Sequence, residues 1–195
     1  LQAAAQTAIW QEGKHYDVIS ETASKKPVVR EYFSFFCPAC YQFEPLVARF
    51  KTAIPEGTKF EKIHVNFMGQ ASREIQEQVT RAMVVGRAMK DEETFNAAIF
   101  NYIHRQKAAI TSMNDLRSLF VVNGADGEKF DKLSNSFGVN SLVKKNNKLL
   151  DDFRQHVTGV PTFIINDKFL VTFARDPSLS VDDMVELVAW LSKQK

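Results

Sequence analysis

The chain has almost no cysteine: Cys37 and Cys40 are the only two in 195 residues. A fold stapled by disulfides would spread several along its length, and a bridge across two residues constrains the unfolded chain least. With 45% apolar residues, sixteen of the whole being phenylalanine, the chain can build a core without such staples. Paired metal-ligand spacing is absent too. His15, His64, His104 and His156 are scattered, a structural zinc site usually takes four ligands, and no metal is expected. An excess of charge of one sign is also missing: 25 basic residues face 23 acidic ones, interspersed, for a net +2. Without a basic stripe, nucleic-acid binding has no support. No apolar run approaches the ~20 residues of a membrane span. No charged-then-apolar leader opens the chain, and Leu1–Gln6 reads as a mature N-terminus or a cloning remnant. Repeats and low-complexity linkers are lacking.

What the chain does have is Cys37-Pro38-Ala39-Cys40 between an apolar run, Val28–Phe36, and a helical pattern. A strand, then Cys-x-x-Cys, then a helix places the first sulfur at a helix N-terminus. Unpaired backbone N–H groups and the positive end of the macrodipole there favour a thiolate. The pattern points to redox chemistry. The plainer reading is a buried thiol pair or an inert disulfide, for which the short spacer is ill suited.

The remaining pattern reads as strand–helix–strand, then a helical block, then a hairpin and a last helix. His15–Ile19 is a weak strand, Val28–Phe36 a better one, and Lys59–Phe67 a third. Between the last two, Cys40, Phe43, Leu46, Val47, Phe50 and Ile54 recur at helical spacing, with Pro38 at the first helical position and Pro45 as a kink. Helices follow over Ser72–Lys90, Glu92–Arg105, Asn114–Val122 and Glu128–Asn135, with Asn114 and Asp126 as caps, and another over Ser141–His156. Thr162–Ile165 and Phe169–Phe173 flank the turn dipeptide Asn166-Asp167, and Ser180 caps a final helix with Met184, Val188 and Leu191 inward. The expected class is α/β, a β-rich frame interrupted by a helical insertion: residues 1–67 plus 139–195 for the frame, 68–138 for the insertion.

Three further residues carry candidate chemistry. Glu31 lies six positions before Cys37, so period-2 alternation along one strand sends both to the same face. A buried carboxylate there has a raised pKa and can exchange the proton of Cys40, whereas on an edge strand it is a solvated charge. Lys62 is its possible partner, or plain surface charge. Pro161, in Gly159-Val160-Pro161-Thr162, precedes a strand, where proline marks an edge, a bulge or a cis peptide. A cis-proline loop exposes the Val160 backbone to an extended substrate.

Together these residues resemble the DsbA family of periplasmic thiol:disulfide oxidoreductases, within the thioredoxin superfamily. The resemblance runs through Glu31–Glu44, Pro55-Glu56-Gly57, His64–Gly69, Asn135-Ser136-Phe137, Ser141-Leu142-Val143 and Gly159-Val160-Pro161, in the family's order. It implies a thioredoxin fold with an inserted all-helical domain. It further implies an exposed nucleophilic Cys37, a buried Cys40, a cis Pro161, and a buried Glu31–Lys62 pair beneath the site. Ala39, Gln42, Met68, Val160 and Pro161 would contact substrate. Implied as well are a monomer without cofactor beyond the Cys37–Cys40 disulfide and a periplasmic location after removal of a signal peptide. The implied clients are reduced, unfolded exported proteins, and a DsbB-like quinone-linked membrane oxidase would restore the disulfide. Ala39 departs from the family's most familiar member, which has histidine there, and this bears on oxidising strength. A thioredoxin-like reductase, a disulfide isomerase and a non-redox peptide-binding holdase are the rival readings.

Overall fold

The computed structural model describes residues 9–195, and Leu1–Gln6 lies outside the described residues. Among the described residues, five strands and seven α-helices follow in the expected order. β1 (Tyr16–Val18) is short, and β2 (Val28–Phe33) is buried at all six positions, the mark of a strand covered on both faces. α1 (Pro38–Ala53) begins at Pro38, whose missing N–H costs nothing at a first helical position, and continues through Pro45. β3 (Lys59–His64) follows. Next come α2 (Arg73–Ala88), α3 (Glu92–His104), α4 (Met113–Val122), α5 (Gly127–Ser134) and α6 (Phe137–Phe153). β4 (Thr162–Ile165), β5 (Phe169–Val171) and α7 (Val181–Ser192) close the chain. The sheet order is β1-β5-β4-β2-β3, with β5 antiparallel to both β1 and β4.

The chain forms two compact units, which do not follow the sequence boundaries at 67/68 and 138/139. Among the described residues, the first holds 9–31, 44–62 and 162–195. Its hairpin turn has φ of 54° at both Asn166 and Asp167, the left-handed region at the two central residues of a turn closed by Lys168 N–H on the Ile165 carbonyl at 3.1 Å. Asn166 Oδ1 accepts from Val28 N–H at 2.9 Å, and its Nδ2 donates to the carbonyls of Ser192 and Gln194 at 3.2 and 2.9 Å. One side chain thus ties the turn to β2 and to the end of α7. Ser180 and Asp183 form a reciprocal capping box on α7, in which Leu187, Val188 and Leu191 are buried and Met184 only partly so.

The second unit holds residues 32–43 and 63–161. α2 is its central helix, in contact with α3, α4, α5 and α6 and burying Val79, Ala82, Met83, Val84 and Val85. Phe95 stacks on Phe120 at 4.3 Å, and Phe120 meets Phe130 edge-on.

Several boundaries differ from expectation for local reasons. β2 stops at Phe33, because Ser34 opens a turn: its Oγ accepts from Phe36 N–H at 3.0 Å and its carbonyl from Cys37 N–H at 3.2 Å. Cys37 is therefore not on the strand of Glu31, and the same-face argument linking them does not hold. β3 ends at His64 and β5 at Val171, short of Phe67 and Phe173. α4 starts after Ser112, which makes no side-chain capping bond, leaving Asn114 inside the first turn, whereas Asp126 caps α5 by accepting from Lys129 N–H. α6 begins four residues before Ser141, where Ser136 Oγ accepts from Val139 N–H, and stops at Phe153 before a 3-10 turn through His156.

Candidate active site

The cysteine pair is built by the second unit. Cys37 is the residue before the first helical position of α1, and its carbonyl accepts the first helical bond, from Tyr41 N–H at 3.2 Å. Its sulfur therefore sits where the N–H groups of the first turn converge. Both cysteines are thiols in this structure. Cys37 is not openly exposed as expected. It keeps 7% of its surface, against 0% for Cys40, because an apolar cluster that also includes Phe33, Phe35 and Phe36 surrounds the pair.

The Val160–Pro161 peptide is cis, and the Cys37 Sγ lies 3.7 Å from the Val160 carbonyl oxygen, within reach of an S–H donor. Residues 123 apart in sequence thus meet at the reactive sulfur. Val160 and Met68 pack against the apolar cluster of the cysteines. Met68 is half-buried and fixed through its backbone, its N–H donating to Gln76 Oε1 at 2.9 Å and its carbonyl accepting from Gln76 Nε2 at 2.8 Å. Ala39 and Gln42 are exposed on the first turns of α1.

Glu31 and Lys62 belong to the first unit, in which they form one cluster. Lys62 Nζ donates to Glu31 Oε1 at 2.5 Å and to Glu44 Oε1 at 3.0 Å. Glu31 is 0% exposed and Lys62 3%, so neither is a surface charge. Two carboxylates share one ammonium, and burial pushes the Glu31 carboxyl above its ordinary value against the pull of Lys62. Burial acts downward on Lys62, but Glu31 and Glu44 outweigh it and hold the ammonium above its ordinary value. Glu44 was missed by sequence reasoning. Its position four residues after Cys40 on α1 was a readable signal, yet a carboxylate on a helix is ordinarily taken for a solvated one. As chemistry-bearing residues His64 and His104 were weighed only as metal candidates, although His64 also opens a stretch of the family resemblance. Among the described residues no cluster of His, Cys, Asp and Glu could hold a metal ion.

A cysteine pair at a helix mouth on this frame defines a thiol–disulfide exchange site, and the comparisons agree. The model of the DSBA-like thioredoxin domain matches residues 28–185. The thiol:disulfide interchange protein DsbA of Haemophilus influenzae is 40% identical over 179 residues, 90% of this chain and 82% of that protein. DsbA of Yersinia pestis is 34% identical over 191 residues, 94% of this chain and 89% of its own length. Among solved structures, the disulfide oxidoreductase DsbA of Proteus mirabilis superposes with a TM-score of 0.81 at 31% identity, covering 95% of this chain and 96% of that one. A cysteine-to-serine variant of the same protein, with a non-covalently bound peptide PWATCDS, gives 0.82 at 31% identity over 96% and 98%.

The chain belongs to the DsbA family. It has a thioredoxin fold with a helical insertion, and its activity is that of a protein thiol:disulfide oxidoreductase.

Proposed function

We propose that this protein donates the Cys37–Cys40 disulfide to thiols of reduced, unfolded exported proteins in the periplasm. The observation that carries the reading is the Cys37 sulfur beside the Val160 carbonyl at the mouth of α1. An extended peptide paired with Val160 would bring its own sulfur to Cys37. The cysteine-containing peptide bound non-covalently to the Proteus mirabilis protein supports a peptide as the substrate class.

In the oxidised enzyme a substrate thiolate attacks Cys37 Sγ, and the Cys37–Cys40 bond breaks with its electron pair going to Cys40, which takes a proton. A second substrate thiolate attacks the substrate sulfur of the mixed disulfide and expels Cys37 as a thiolate. The substrate has lost two electrons and the enzyme has gained them. The helix N-terminus stabilises the departing Cys37 thiolate and drives the exchange toward oxidised substrate. Pro161 and Val160 hold the peptide, while Ala39, Gln42 and Met68 supply the surrounding contacts. No group beyond the disulfide is needed. A quinone-linked membrane oxidase of the DsbB type restores it, and the enzyme works as a monomer.

The test is oxidative refolding of a reduced, unfolded protein, run beside insulin reduction, with wild type, Cys37→Ser and Cys40→Ser. Wild type should drive the first reaction and be weak in the second, and both variants should lose oxidation. Cys40→Ser should accumulate mixed disulfides with insulin, where the Cys37 thiolate attacks an insulin disulfide and expels an insulin thiolate that nothing then resolves. Strong insulin reduction without oxidation makes the protein a reductase, and peptide binding without either makes it a holdase.

A further inference from the structure

The turn that leads into the redox pair is held at one residue by two imidazoles. Phe35 N–H donates to His64 Nε2 at 3.2 Å. An amide can only donate, so Nε2 carries a lone pair and the ring's single proton is on Nδ1. That proton faces Thr80 Oγ1 at 2.8 Å, and the Thr80 hydroxyl in turn donates a hydrogen bond to the Gln76 carbonyl at 3.1 Å. The backbone of His64 is pinned as well: its N–H donates to Asn146 Oδ1 and its carbonyl accepts from Asn146 Nδ2, both at 3.0 Å. The ring is fully buried against Phe33 and Phe35.

The other imidazole takes the other end of the same residue. His104 Nε2 lies 2.6 Å from the Phe35 carbonyl oxygen. A carbonyl can only accept, so this Nε2 carries a proton, the opposite of His64. His104 also stacks on Tyr41 at 5.1 Å and 10°, and Tyr41, the residue after Cys40, donates through its hydroxyl to Asn101 Oδ1 at 3.2 Å. The end of α3 therefore grips both the turn before the cysteine pair and the residue that follows it.

We propose that His64 and His104 are positioning residues for the redox pair, clamping Phe35 by its N–H and its carbonyl through opposite tautomers. The proposal rests on the oxidase reading above. The Phe36 and Cys37 N–H groups are taken up by Ser34, so with Phe35 held by His64 the turn Ser34–Cys37 has one arrangement. The field of a helix N-terminus falls off within its first turn, so a sulfur that wanders loses it. Only the reduced enzyme presents a thiolate to that field. Loosening the clamp thus destabilises the reduced form against the oxidised one and weakens the oxidant.

The experiment is the glutathione equilibrium constant of wild type, His104→Phe and His104→Gln, with the unfolding midpoint of each. Phenylalanine keeps a ring against Tyr41 but removes the donor; glutamine restores a donor. His104→Phe should become a weaker oxidant by about three- to tenfold, the equilibrium equivalent of one hydrogen bond, and His104→Gln should recover most of that. Because a His64 variant can fail to fold, His64 is read in the wild-type protein from imidazole ¹⁵N shifts: Nδ1 protonated and Nε2 bare, with His104 protonated at Nε2. An unchanged equilibrium constant in His104→Phe, or a His64 proton on Nε2, overturns the clamp. A wild type that equilibrates as a reductant overturns the oxidase reading alone, since the ratio of variant to wild type still tests the clamp.

Discussion

Two buried polar clusters, one in each unit, are built to different rules. Around His64 the groups are neutral, and the proton on each of its hydrogen bonds with Phe35, Thr80 and Asn146 can be assigned from its partner. Around Lys62 the groups are charged: two carboxylates bond one ammonium, and Lys51 acts on Glu31 as well. Glu31 Oε2 is buried with no hydrogen-bond partner among the described residues. A neutral network with fixed proton positions holds a shape. A charged one with a buried carboxyl holds a proton, and burial selects Glu31 for it, because the Glu44 side chain is 28% exposed. The first cluster suits the geometry of a reactive turn and the second suits proton exchange.

Removing Lys62 should break this contrast most severely. Lys62→Met leaves two carboxylates without their ammonium and should cost about 3–5 kcal/mol in denaturant unfolding. Adding Glu31→Gln should recover part of that loss, and a Lys62→Met protein of wild-type stability would remove the charged cluster from the account. A cut in the neutral cluster should cost less. Thr80→Val removes the oxygen facing His64 Nδ1 and should cost about 1–3 kcal/mol in denaturant unfolding.

The charged cluster should instead show itself through pH. The Glu31 pKa is raised in the folded state, so from about 4.3, its ordinary value, up to the folded value the native chain holds a proton that the unfolded chain has released. Stability should therefore fall as pH rises through that interval, by at most about 1.4 kcal/mol per pH unit. Urea midpoints from pH 4 to 8 check this, and Glu31→Gln should flatten the slope. A wild-type stability that rises through the interval without a fall, unaltered by the substitution, would contradict it. The smallest effect belongs to Ala39, exposed in the first turn of α1 with neither charge nor side-chain donor to offer the Cys37 sulfur. Ala39→His should make the pair more oxidising by roughly 30 mV per 1.4 kcal/mol of added thiolate stabilisation. A glutathione titration showing no change would mean that this position does not tune the site.

What could be read from the sequence was what local rules govern. The strand–Cys-x-x-Cys–helix order, the cap at Ser180 and the turn at Asn166-Asp167 all depend on residues close together in the chain, as the two φ angles of 54° illustrate. The turn after β2 is different: besides its local bonds to Ser34, Phe35 within it is held by His64 and His104, 29 and 69 residues away, which no local period reveals. The start of α6 was hidden because Phe137, 87% exposed, puts an apolar residue where periodicity assigns a polar one. The partial cover over Cys37 follows from Val160, brought beside it by the fold.

The central claim is that the Cys37–Cys40 pair gives its disulfide away, and its equilibrium with glutathione tests that most directly. A reduction potential on the oxidising side of protein disulfide isomerase, that is, above about −180 mV, is the predicted result. A potential near that of thioredoxin, about −270 mV, would contradict the account and make the protein a source of electrons.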